Sequence, residues 1–207
     1  MTGGTISGNK VLMGAVGGDG GVYCASNQVA LKGGVIEKNE AERQGGGVYI
    51  GSIPYVLKIF NALVTSNTAS IFGGGAWACP TGDTEIFVTN GAAVYGNSAK
   101  GAGDEIVSVK NRGQNYILTL AGRILGGGRV LWYEDGGSLG APDEAISRYG
   151  PGGSAKPIAQ IQNGTSPYAL KAIVSKEAKA LAAESAACLS EIIHRHAAAG
   201  LEATGIS

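Results

Sequence analysis

Six acidic side chains between residues 83 and 135, Asp83, Glu85, Asp104, Glu105, Glu134 and Asp135, are the residues best suited to chemistry. Paired carboxylates about 5 to 10 Å apart would support glycoside hydrolysis. A lyase would instead need an Arg or Lys base beside bound calcium. Arg112, Arg123, Arg129 and Arg148 are the richest arginine region, but they are dispersed, as expected of a solvated face. The loop Gly17-Gly18-Asp19-Gly20-Gly21 has the flavour of a nonapeptide calcium site, which needs an aspartate every nine residues, and none recurs. His194 and His196 are two apart, so on a helix they diverge by roughly 200° and cannot share a metal. Cys24, Cys79 and Cys188 are odd in number, widely spaced and without a CxxC, which fits neither a disulfide framework nor a zinc site. The expected catalytic, cofactor and metal residues are therefore none.

What would position such residues is a repeat. Over the first 105 residues an aliphatic residue precedes an asparagine by three positions four times: Ile6 with Asn9, Ile36 with Asn39, Val64 with Asn67, Val94 with Asn97. These asparagines are 30, 28 and 30 residues apart. A glycine pair follows in Gly20-Gly21-Val22-Tyr23, Gly46-Gly47-Val48-Tyr49 and Gly74-Gly75-Ala76-Trp77, with the first copy delayed by an insertion around Gly17 to Asp19. Between these marks lie short runs rich in β-branched and aromatic residues, such as Tyr55 to Phe60 and Thr84 to Thr89. Three short strands per unit of about 29 residues make one coil of a solenoid, because such a unit cannot bury its apolar face alone. Stacked coils pair in parallel about 4.8 Å apart, so Asn9, Asn39, Asn67 and Asn97 are expected to form a structural amide ladder. Stacking also removes the catalytic pair: one repeat before Asp83 the chain offers Ile53-Pro54-Tyr55.

The GG-[AV]-[YW] and aliphatic-x-x-Asn elements resemble the repeats of right-handed parallel β-helix surface proteins of bacteria. The likeness is to polymorphic outer-membrane protein repeats and autotransporter or adhesin-like passengers. It covers the first half of the chain, with Ile or Val where those repeats carry Phe. The resemblance implies a non-enzymatic cell-surface or secreted protein, an adhesin-like stalk or scaffold with a host glycan or protein receptor as partner. Tyr23, Tyr49 and Trp77, one per coil, would stack. Facing outward they suit sugar rings; facing inward they join the core, and their aliphatic or alanine neighbours favour the core. The alternatives are a self-assembling protein stacking end to end into a filament with its own copies, since the first repeat starts at residue 3 without a cap, and a carbohydrate-active β-helix enzyme.

Composition agrees with a folded, turn-rich domain: 36 glycines, 44% hydrophobic residues and 15% charged ones. Sixteen basic and sixteen acidic residues cancel, which argues against nucleic acid as a partner. There is no apolar run for membrane insertion and no signal peptide in the chain, so a surface location requires that the signal be removed. The expected architecture is mainly β: a right-handed single-stranded parallel β-helix of four to five coils over 1–135, the fifth degenerate, and an irregular capping or linking segment over 136–167. An amphipathic C-terminal α-helix follows over 168–200, with Ser166-Pro167 as its start and Gly200 as its stop. Its stripe, Val174, Ala178, Leu181, Ser185, Cys188 and Ile192, would cover the solenoid or meet a second subunit.

Overall fold

The computed structural model describes residues 1–12, 20–51, 55–78, 83–87, 93–108, 116–118, 123–124, 127–135 and 168–174. Each of the first three repeats forms four short strands. The first gives β1 (Thr5–Ser7), β2 (Lys10–Val11), β3 (Val22–Cys24) and β4 (Val29–Leu31). The second gives β5 (Val35–Glu37), β6 (Glu40–Ala41), β7 (Val48–Ile50) and β8 (Val56–Phe60). The third gives β9 (Leu63–Thr65), β10 (Thr68–Ala69), β11 (Ala76–Ala78) and β12 (Asp83–Phe87). In the fourth, Val94 makes a single parallel bridge to Val64, and β13 (Ser98–Ala99), β14 (Ile106–Ser108) and β15 (Tyr116–Leu118) follow.

Strands of like position stack on one another. The four parallel sheets run β1-β5-β9, β2-β6-β10-β13, β3-β7-β11-β14 and β4-β8-β12-β15. Register follows the repeat: Ile6 pairs with Ile36 and Ile36 with Val64, while Tyr23 pairs with Tyr49 and Tyr49 with Trp77. The expectation of three strands per repeat is corrected to four, because the two-residue strands after each asparagine are too short to show alternation.

Two local devices make the stacking work. Gly8, Lys38, Ser66 and Gly96, each just before a ladder asparagine, have φ of 72°, 54°, 57° and 71°, so every coil turns there through the left-handed region. The glycine pairs admit the next coil's backbone: a Cβ on Gly21, Gly47 or Gly75 would lie 2.6, 2.6 and 2.5 Å from the carbonyl oxygens of Gly47, Gly75 and Glu105. Inside the stack, Ile36, Val48, Ile50, Leu57, Ile59 and Val64 are fully buried and form one apolar core. Alternate residues of each strand point the other way.

Among the described residues no parallel strand follows β14 in its sheet. β16 (Arg123–Ile124), β17 (Gly127–Glu134) and β18 (Tyr168–Val174) join β14 instead, in the order β14-β18-β17-β16, all antiparallel. Val130, Trp132 and Ala172 from this addition close the core. The helix expected from residue 168 is corrected over its first seven residues, which form β18. The edge of β14 needs backbone partners, and Ala169 and Ala172, on opposite faces of β18, are both buried. The remainder of that helix, with Cys188, His194 and His196, and the segment 136–167 lie outside the described residues.

Candidate functional site

The expected amide ladder exists and has a direction. Asn9 donates from Nδ2 and its backbone N–H to Asn39 Oδ1 at 2.9 and 3.0 Å. Asn39 does the same to Asn67 Oδ1 at 2.9 and 3.1 Å, and Asn67 to Asn97 Oδ1 at 2.9 and 3.0 Å. The second hydrogen of each inner amide goes to a backbone carbonyl one coil back: Asn39 to Ile6, Asn67 to Ile36, Asn97 to Val64. Asn39, Asn67 and Asn97 are buried, so these bonds are what make their burial tolerable. Asn9 is exposed.

Glu105 ends the column, a role the sequence reading missed. Its Oε2 accepts from Asn97 Nδ2 at 2.8 Å and from the Asn97 N–H at 3.2 Å, and its Oε1 accepts from the Gly96 N–H at 3.0 Å. The carboxylate thus stands where the Oδ1 of a further asparagine would be. Asp104-Glu105 precedes Ile106-Val107 just as Gly74-Gly75 precedes Ala76-Trp77, and Ile106 pairs with Ala76. The fourth coil therefore replaces the glycine pair with two acidic residues. Asp104 Oδ1 accepts from the Ala99 N–H at 2.9 Å, and Asp135 Oδ2 accepts from the Asp104 N–H at 2.7 Å. Burial pushes the Glu105 carboxyl up to about 7, with the nearby Asp104 charge adding to the rise, against the amide donors of Asn97 and Gly96. A carboxyl titrating near neutrality suits a general acid. This one is 1% exposed and its oxygens are engaged by the chain's own amides, so its chemistry is internal.

The other acidic candidates form no pair in the register. Asp83 lies beside Val56, and Glu85 beside Lys58 and Ile117; the residue under Asp83 is Val56 rather than the Ile53-Pro54-Tyr55 expected. Arg123 and Arg129 are register partners in β16 and β17, while Arg112 and Arg148 lie outside the described residues. Cys24 is a buried free thiol, raised by burial, and directs Sγ to the Val56 carbonyl at 3.6 Å. Cys79 lies outside the described residues.

The aromatic column faces away from the main core; Tyr23 is exposed, which corrects its expected inward placement, whereas Trp77 is buried as expected, in a second cluster. Val48 and Ile50, either side of Tyr49, fill the core, so the two-residue period turns Tyr49 outward. Tyr23 and Tyr49 have ring centroids 5.7 Å apart, tilted by 32°. Trp77 is covered instead: it stacks on Phe72 with centroids 5.7 Å apart and planes 15° from parallel. The two rings form a second small cluster with Ala102, Val107 and Ala169. Tyr23, 50% exposed, is the ring open to a ligand. Gly51 makes room beside it, since a Cβ there would meet the Tyr23 hydroxyl at 2.8 Å and the Tyr55 ring at 2.9 Å. Comparison with protein-family models, with curated proteins and with solved structures finds no match.

Proposed function

We propose that the chain is a non-enzymatic scaffold of a bacterial cell-surface or secreted protein, built as a right-handed parallel β-helix and adhesin-like in role. The observation that carries the reading is the outward Tyr23–Tyr49 pair, set on a stack whose buried polar groups are used to hold coils together. Support for the scaffold comes from the exact superposition of repeats in four parallel sheets and from the resemblance of the repeat to bacterial surface proteins. Tyr23 offers a flat apolar face with a hydroxyl at its rim, a shape that suits the C–H face of a sugar ring or an apolar side chain of a receptor. Glycan and host-protein arrays probed with the parent and with a Tyr23→Ser, Tyr49→Ser double variant test this. Binding to a defined glycan or receptor, lost in the variant, is expected; binding unchanged in the variant would remove the aromatic face from the account.

A further inference from the structure

Glu105 stands at the root of the joint between the parallel stack and the antiparallel strands that follow it. The residue before it, Asp104, donates its backbone N–H at 2.7 Å to Oδ2 of Asp135, which directly follows β17. The residue after it, Ile106, pairs with Leu170 of β18. The Asp135 backbone completes the joint: its carbonyl accepts from the Gly103 N–H at 2.9 Å, and its N–H donates to the Ala169 carbonyl at 2.8 Å. β17 and β18 in turn bury Val130, Trp132 and Ala172 against the core.

The Glu105 carboxyl itself is held by the Gly96–Asn97 corner, and that corner is bound firmly into the stack. Asn67 donates twice to Asn97 Oδ1, Asn97 Nδ2 donates to the Val64 carbonyl, and the Ser98 N–H donates to the Asn67 carbonyl. The side that can yield to let water reach the carboxyl is therefore the antiparallel one. Gly96, Asn97 and β13 bring no charge to Glu105. Asp104 adds its own carboxylate beside it, and Asp135 is bonded to the Asp104 N–H. On the antiparallel strands the charged residues nearest in register are Glu134, opposite Leu170, and Lys171, opposite Tyr133. Ionisation of Glu105 thus adds a charge beside a like charge, in a place closed to water. We propose that this joint is a proton-operated clasp: with a proton on Glu105, β17 and β18 stay closed on the fourth coil, and when Glu105 ionises they open locally while the earlier coils stay folded.

Opening returns the carboxyl to its ordinary 4.5, so the open form gains up to about tenfold per pH unit between 4.5 and about 7, and nothing further above that. Mass-spectrometric hydrogen exchange of the full chain at about pH 5 and about pH 8, corrected for the intrinsic exchange rate, reads this opening. Protection of residues 104–108 and 168–174 is expected to fall by at least about tenfold at the higher pH, with β5 to β7 remaining at least about tenfold better protected than they are. In Glu105→Gln the pH dependence at residues 104–108 and 168–174 should vanish. Protection there that does not change with pH would overturn the proposal, as would β5 to β7 exchanging at one common rate with those residues at the higher pH. Both outcomes are read on the parent chain alone, so they hold even where the variant does not fold. A folded Glu105→Gln protein that keeps the parent's pH dependence would assign the proton to another group and overturn it too.

Discussion

Glu105 couples the stack to pH at the level of one side chain. Folding raises its carboxyl from an ordinary value of 4.5 to about 7, so the native state favours the neutral form. The stability it contributes is fully present below 4.5 and lost as pH rises through about 7. A rise of that size corresponds to on the order of 3 kcal/mol between the extremes. Glu105→Gln keeps an oxygen for Asn97 and removes the titration. The difference in unfolding free energy between parent and variant should therefore change across pH 5 to 8 in the direction of a weaker parent at high pH. Urea unfolding at several pH values measures it, and a parent that gains on the variant as pH rises would contradict the assignment. The ladder asparagines were legible in the sequence because the aliphatic-x-x-Asn element recurs at nearly constant spacing. Glu105 was not, because it matches no repeated letter; carrying the alignment one coil past Gly74-Gly75 would have placed Asp104-Glu105 in the glycine slot.

Among elements, the corners decide how tightly coils approach. Gly47 has no special φ, yet a Cβ there would meet Val64 Cγ1 at 2.8 Å and Asn67 Nδ2 at 2.9 Å besides the Gly75 carbonyl. Gly47→Ala is expected to cost about 2 kcal/mol through overpacking against the next coil. Lys38 is the opposite case. It sits at φ 54° in a column where Gly8 and Gly96 also turn left-handed, so Lys38→Gly should be neutral or gain about 0.5 kcal/mol. Chemical denaturation of both variants checks the pair; a Gly47→Ala protein as stable as its parent would mean the coils can separate there at no cost. The glycine pairs and the longer strands were readable as punctuation and β-rich runs. Strands such as Lys10–Val11 and Ser98–Ala99 were not, since two residues carry no periodicity. Tyr168–Val174 misled for another reason: its spacing joins an alanine-rich helical pattern downstream, while its strand form depends on an edge, β14, some sixty residues earlier.

For the whole molecule, each coil touches chiefly its neighbours, so stability is shared through nearest-neighbour contacts. Among the described residues the first coil has a neighbouring coil on one side, and its Ile6, Val11, Val22 and Val29 are half-buried while Cys24 and Leu31 are buried. Backbone amides of β1 to β3 should exchange with solvent faster than those of β5 to β7 and β9 to β11 by local opening from that end. Mass-spectrometric hydrogen exchange resolves the gradient, and uniform protection across the three coils would show a single cooperative block. The dipeptide Asp104-Glu105 has a consequence for growth. While two glycines recur at that place another layer can be laid down, and the acidic pair acts as a terminator. The number of layers is thus written locally, and duplication or design can lengthen the molecule by adding repeats ahead of that terminator, never behind it.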